Sequence, residues 1–194
     1  MDIKPKDPIL LDFPSRFESE RLVIRTPLPG DGPGLNEAVR ESQALLAPWM
    51  PWASEVPEVE DSEINVRRAY LRFLERSDMR LQLLDKQTGE LVGSSGLHRI
   101  DWDSRSFETG YWIRSSRLRQ GYASEAVMAI TDFAIRELGA NRIQIRCDRT
   151  NIPSAEVARK CGFTLEGILR QDSNNTSGEL SDTMVFSKVR GIDF

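Results

Sequence analysis

The residues with the clearest capacity for chemistry lie in Arg119-Gln120-Gly121-Tyr122-Ala123. A strand-like stretch, Phe107 to Arg114, runs into them, and an amphipathic helix follows. Ala123, Ala126, Val127, Ile130, Phe133, Ala134 and Leu138 recur at the i, i+3, i+4, i+7 spacing of a packed helix. Gly139 stands where a left-handed cap residue belongs. A glycine loop that opens a helix presents unpaired backbone N–H groups and the positive end of the helix dipole. Both favour a phosphate or pyrophosphate. Read alone, Gly121 is equally an ordinary connector that relieves backbone crowding.

A second stretch, Asn151 to Phe163 (NIPSAEVARKCGF), carries Asn151 and Ser154 in an N-x-x-S pattern. Asn151 suits a helix N-cap, and Ser154, near the third helical position, is either solvated or functional. The two stretches together resemble motifs A and B of the GNAT superfamily of acetyl-CoA-dependent N-acetyltransferases. Motif A there reads Q/R-x-x-G-x-G/A, and its backbone amides hold the coenzyme A pyrophosphate. Leu118 stands here at the Q/R position, with Gly121 and Ala123 at the small positions. Arg117 and Arg119 flank the departure and can supply its positive charge. The opening RLVIRTPLPGD also resembles the RimJ/RimL-type branch, the ribosomal-protein N-terminal acetyltransferases. The order of elements matches over about residues 20–188.

The resemblance implies a set of roles. The coenzyme would lie against Trp112, Ile113, Arg114, Arg119, Gln120, Gly121, Tyr122, Ala123, Ser124, Asn151 and Ser154. A backbone N–H near Trp112-Ile113-Arg114, on a fourth strand splayed from the fifth by a bulge, would polarise the acetyl carbonyl. Ser154 would protonate the leaving thiolate, because the position where many relatives carry a tyrosine is Ala158 here. Glu108 matches a common acid of the family and is otherwise a sheet-surface charge. Asp172 stands where some relatives have a catalytic glutamate, or else simply starts a turn. Trp49 and Trp52, set between prolines, form a lid over the core or a wall of the acceptor site. With Glu108 they are the substrate-binding candidates. Acetyl-CoA is the implied cosubstrate.

An α-amine, with an ordinary pKa near 7.7–8.0, is roughly one-tenth neutral at pH 7, whereas a lysine is below about one-thousandth. Deprotonating an N-terminus therefore needs less help, which agrees with an N-terminal Ser or Ala acceptor such as a ribosomal protein. The alternatives are a small amine (polyamine or aminoglycoside) and a non-catalytic acyl-CoA sensor. His98 reads as a structural hydrogen-bonding residue, with an active-site role as the alternative. Cys147 reads as a packed thiol, since a nucleophilic role needs a base beside it.

These residues need a scaffold. Alternation in Glu20 to Arg25 predicts a first strand, and further strands are expected over 80–84, 91–97, 106–114, 142–147, 164–170 and 180–189. Helices are expected over about 35–46 and 62–75, then after Gly121, and over 151–161. Ile64, Val66, Ala69, Tyr70, Leu71, Phe73 and Leu74 are core candidates of the second helix. Residues 172–178 read as a loop, and 1–16, with three prolines, as an irregular arm. Glu55, Glu58, Glu60, Asp61 and Glu63 read as a solvated helix start or a lure for a cationic acceptor. Helices interrupt runs of strands, so the class is α/β or α+β, one domain over 1–194. The resemblance sharpens this to the GNAT fold, a mixed sheet of about seven strands splayed between strands 4 and 5. A dinucleotide fold lacks its further glycine and its acid.

The 194 residues suffice for one full core. Twenty-six basic against 30 acidic side chains give a net charge of −4, which argues against broad nucleic-acid binding. No apolar run is long enough to span a bilayer, and the acidic start does not resemble a signal peptide, so the cytoplasm is the expected location. Two cysteines and one histidine offer no zinc-type spacing, and no metal is expected. An interface between two copies stays open, without a specific signal for it.

Overall fold

The computed structural model describes residues 7–194. Its elements run β1 (Arg16–Glu18), β2 (Leu22–Arg25), α1 (Gly32–Leu46), α2 (Val59–Leu74), β3 (Met79–Asp85), β4 (Leu91–Asp101) and β5 (Ser106–Ile113). Then come α3 (Tyr122–Arg136), β6 (Arg142–Asp148), α4 (Ile152–Lys160), β7 (Thr164–Asn174) and β8 (Leu180–Val189). Eight strands form one sheet in the order β1-β2-β3-β4-β5-β6-β8-β7. The strand beyond the expected seven is β1, which begins at the end of the expected arm and pairs with β2 through Phe17 and Ile24. Residues 1–6 of that arm lie outside the described residues. Among the described residues no helix is long and apolar enough to cross a membrane.

Successive strand residues point to opposite faces, and the core divides accordingly. Leu83, Val92 and Ile113 join Ala126, Val127, Ile130 and Phe133 of α3 and Ala155 and Ala158 of α4. Their neighbours Leu84, Leu91 and Trp112 join Leu35, Val39 and Val66 of α1 and α2. The sheet therefore separates an α3/α4 side from an α1/α2 side. The expected stripe of α3 is buried almost throughout, and Gly139 closes it at φ 65°. The stripe of α2 differs from expectation. Ser62, Val66, Ala69 and Phe73 face inward, while Ile64, Leu71 and Leu74 are exposed. The inward residues are spaced by four, three and four, so one apolar stripe suffices, and the flanking leucines fall outside it.

Both early helices start a turn sooner than expected. Pro33 sits in the first turn of α1, where its missing N–H costs nothing. The Glu63 carboxylate of α2 accepts from the N–H groups of Gly30 and Gly32, both at 2.9 Å. A Cβ on Gly32 would lie 2.6 Å from Glu63 Cα, so only glycine allows the two helices to approach this closely.

The β5–β6 pair is parallel, and its register covers only Ser106, Phe107 and Glu108 against Arg142, Ile143 and Gln144. Beyond Glu108 the strands part, while β6 stays fully paired with β8. This is the expected splay. The bulges lie on β4 instead: Val92 is extra against Leu83 and Leu84 of β3, and two residues, Arg99 and Ile100, oppose Phe107 alone, with Arg99 at φ 44°. The 172–178 loop expectation is also corrected. β7 continues to Asn174 through an irregularity between Leu169 and Ser173, with Gln171 at φ 48°. Asp172 thus belongs to a bulged strand.

Candidate active site

Gly121 is the residue before α3 and takes φ 85°, ψ 0°, a left-handed conformation that a side chain would strain. Glu125 N–H donates to Gly121 O at 3.0 Å, so the first-turn N–H groups of Tyr122, Ala123 and Ser124 lie ahead of the helical ladder. They have no side-chain cap. An ideal Cβ on Gly121 would meet only Arg21 Nη2, at 3.5 Å, which leaves the front of the helix open. Such a cradle of donors fits a pyrophosphate.

Arg21, which the sequence reading did not single out, braces this loop. Its Nη1 donates to Gln120 O at 3.0 Å, its guanidinium stacks 4.2 Å from the Tyr122 ring centroid, and it pairs with Glu125. Tyr122 is buried, and its hydroxyl donates to Asp85 Oδ2 at 3.0 Å. Ser124 is buried as well. Arg117 is neutralised by Glu90 at 2.5 Å, whereas Arg119 is exposed, at φ 59°, with no ion pair among the described residues. Of the two flanking cations, only Arg119 presents an uncompensated charge.

Trp112, Ile113 and Arg114 play three different parts. Arg114 N–H donates to Val92 O at 2.8 Å, so its backbone is spent on the β4 ladder. By alternation Trp112 N–H also faces β4, while the N–H groups of Tyr111 and Ile113 face the side from which β6 has departed. The expected polarising donor therefore narrows to that pair. The Arg114 side chain is corrected from coenzyme contact to a buried ionic knot. It pairs with Glu37 and Glu90, each at 3.0 Å, and its Nε donates to Glu41 at 2.8 Å. Burial pushes the Glu41 carboxyl up, but the bonds from Arg114, Ser115 and Ser116 outweigh it and hold the carboxyl at about 2.

Across the splay, Asn151 caps α4 by accepting Ser154 N–H at 3.2 Å. Tyr111 OH donates to Ser154 O at 2.9 Å and lies 3.1 Å from Ser154 Oγ. With the phenol proton on the carbonyl, the serine hydroxyl is the donor in the second contact. Burial drives the Tyr111 phenol far above its ordinary value, so it stays protonated. Burial likewise raises the Cys147 thiol, whose surroundings include Ser154. The residue is half-buried and packs against the core, as expected.

Glu108 and Asp172 are brought together, through Arg146. Asp172 is ion-paired to Arg146, and Glu108 Oε2 lies 3.9 Å from Arg146 Nε, 3.7 Å from Arg99 and 3.3 Å from Gln144 Nε2. Neither lines the main cavity, a space of about 500 Å³ on the α1/α2 side of the sheet. Leu35, Val39, Met50 and Pro57 form its apolar wall, with Trp52 and Trp112. Those two rings stand 6.1 Å apart at 55°. Trp49 is exposed and lies outside the lining, so only one tryptophan of the Pro-Trp segment serves as a wall. Asp61, Arg80, His98 and Tyr111 supply the titratable lining.

Comparison with known proteins agrees with this geometry. A family described as "Acetyltransferase (GNAT) domain" matches residues 21–164. The uncharacterized N-acetyltransferase p20 of Bacillus licheniformis is 32% identical over 60% of this chain, and the match spans 65% of that protein. The ribosomal-protein-serine acetyltransferase of Escherichia coli is 28% identical over 71% of this chain and 75% of its own. Among solved structures, the Microcin C7 self-immunity acetyltransferase MccE, in complex with acetyl-CoA and AMP, superposes with a TM-score of 0.83. That likeness covers 91% of this chain and 97% of MccE at 22% identity. RimL, a ribosomal L7/L12 α-N-protein acetyltransferase in complex with coenzyme A, gives 0.82 over 90% and 96% at 24%. The two superpositions establish the fold, and the match over residues 21–164 establishes the family: this chain belongs to the GNAT acetyltransferases.

Proposed function

We propose that the protein transfers the acetyl group of acetyl-CoA to a primary amine, by direct attack in a ternary complex. The observation that carries this reading is the parting of β5 and β6 beyond Glu108, with Ser154 and Tyr111 linked across it. Bound acetyl-CoA would supply the thioester. The N–H groups of Tyr122, Ala123 and Ser124 would hold the pyrophosphate, with Arg119 adding charge. An N–H of Tyr111 or Ile113 would donate to the acyl oxygen as negative charge grows there. Ser154 Oγ would turn its proton from the Tyr111 oxygen to the departing sulfur. A thiol leaves fairly readily, so one weak acid suffices.

The favoured acceptor is the N-terminal Ser or Ala α-amine of a protein, a ribosomal protein being one such partner in the cytoplasm. Kinship with the Escherichia coli ribosomal-protein-serine acetyltransferase supports it, as does the ease of deprotonating an α-amine. The second reading is a small-molecule amine, favoured by a cavity whose size suits a compact ligand.

Free-thiol release from acetyl-CoA, with mass spectrometry of the products, tests both readings. The acceptors are Ser- and Ala-starting peptides, an N-blocked lysine peptide, spermidine and an aminoglycoside. Acetyl on a peptide α-amine is expected. Acetyl on a small amine would keep the reaction and change the acceptor. Acetyl-CoA binding with no transfer to any amine would reject turnover in favour of an acyl-CoA sensor.

A further inference from the structure

One pair of side chains at the cavity has no part in the chemistry above. His98, the single histidine of the chain, sits on β4 with Nδ1 2.7 Å from Asp78 Oδ2. Its ring lies over the Gly96–Gly110 pair of the β4–β5 ladder. An ideal Cβ on Gly96 would stand 3.1 Å from ring Cε1, and one on Gly110 3.8 Å from Cδ2. The backbone of Met79 and Arg80 comes closer still to Gly96, at 2.5 and 2.8 Å, so a side chain there would meet β3 first, and the imidazole packs at ordinary contact distance over Gly110. Gly110 lies two residues past Glu108, the last residue of β5 paired with β6. The ring thus reaches the cavity where the sheet opens, beside Tyr111.

Asp78 can only accept a hydrogen bond when ionised, so it takes Nδ1–H and fixes the neutral tautomer with its lone pair on Nε2. Burial raises the Asp78 carboxyl, but the bond and charge of His98 together with Arg72 and Arg80 outweigh it and hold the carboxyl below the ordinary value. Nε2 has no protein partner among the described residues. The charged groups around this pair are mixed. Asp61 and Arg72 come from α2, Arg80 from β3, Arg99 from β4, and Glu108 and Tyr111 from β5. Burial, with Arg72 nearby, lowers the Arg80 guanidinium to about 10. The Asp78 carboxylate touches the ring at Nδ1, and the guanidinium of Arg80 lines the same cavity. Of the two carboxylates that resemble family bases, Asp172 is ion-paired to Arg146, and Glu108 stands opposite His98 in the β4–β5 ladder with Arg99 and Arg146 3.7 and 3.9 Å from its Oε2; neither lines the cavity.

We propose that His98 accepts the proton of the incoming amine, held in its working tautomer by Asp78 as the positioning residue. This rests on the acetyl-transfer reading. The ammonium group gives one proton to Nε2, and the freed lone pair attacks the thioester carbonyl carbon. A C–N bond forms and the C–S bond breaks. The sulfur leaves with the Ser154 proton, the second nitrogen proton restores that hydroxyl, and the imidazolium returns its own proton to solvent.

Two measurements on the intact protein test this. The first needs no acceptor: the ¹⁵N shifts of the single imidazole are followed from roughly pH 5 to 9, the range in which histidine titrates. A neutral ring protonated at Nδ1 and titrating at Nε2 is expected, with Asp78→Asn lowering the midpoint and mixing the tautomers. A neutral ring protonated at Nε2, or one that does not titrate, overturns the proposal. The second compares His98→Gln with wild type on a peptide that wild type acetylates. At neutral pH kcat/KM should fall about 100-fold, the gap closing at alkaline pH where the α-amine is itself neutral. Affinity for acetyl-CoA should not change. An equal loss at every pH, or no loss, overturns it. If wild type acetylates no amine in the panel, the acceptor reading is what fails, and the imidazole shifts alone decide the role of His98.

Discussion

The loop that opens α3 and the cavity beneath α1 and α2 are built on different physics. The loop works with backbone: a left-handed Gly121, three first-turn N–H groups and a helix dipole, all within one short stretch. The cavity works with side chains from five separate elements, α1, α2, β3, β4 and β5, and from the segment between α1 and α2. A backbone site tolerates drift in its side chains, and Leu118 shows this: the polar residue of the motif is replaced, yet the helix still opens behind Gly121. A side-chain site has no such tolerance, because each contributor sets shape or charge for itself. One fold can thereby keep its coenzyme chemistry while its acceptor changes.

Substitutions can break that contrast or sharpen it. The largest effect is expected at Ser154, which contacts Tyr111 of the cavity lining. Ser154→Ala should lower kcat by about 100-fold while leaving acetyl-CoA affinity nearly intact, read by steady-state kinetics and calorimetry. Unaltered turnover would pass the acid role to water. Gly121→Val should weaken acetyl-CoA binding by about tenfold, since a left-handed β-branched residue costs on the order of 1–2 kcal/mol. The space is open there, so the cost is one of backbone conformation. Unchanged affinity would remove the pyrophosphate assignment. Trp52→Ala should raise the acceptor KM by about fivefold, the scale of one aromatic contact, and leave the coenzyme untouched. A change in acetyl-CoA affinity instead would erase the distinction between the regions.

The smallest effect concerns stability alone. The Glu41 carboxyl is depressed to about 2 by the Arg114 knot. Its contribution is fully present above the ordinary glutamate value and is lost as pH falls towards about 2. Urea midpoints of wild type and Glu41→Gln should therefore differ most near neutrality and converge in acid. A gap that stays constant with pH would show that the charge of Glu41 contributes nothing.

The legibility of the sequence followed the range of the interactions. The α3 stripe, its Gly139 cap, the Asn151 N-cap and the β8 limits could be read because each depends on residues a few positions apart. Asp172 was misread as a loop residue because a bulge, set by pairing with β8, carries β7 past it. Ile64, Leu71 and Leu74 were misread as core because only packing decides which flank of a helix meets the sheet. Arg21 gave no local signal for bracing a loop about a hundred residues away.

By itself the sequence determined the GNAT-type fold and where its helix-opening glycine lies, because period and turn chemistry are local properties of the chain. Tertiary structure alone decided that Asp78 and His98 meet, that Tyr111 holds Ser154, and that Arg146 gathers both family-like carboxylates. Those contacts join residues from 20 places apart, Asp78–His98, to 43 places apart, Tyr111–Ser154. Only strand pairing and the parting of β5 from β6 bring such residues within hydrogen-bond range.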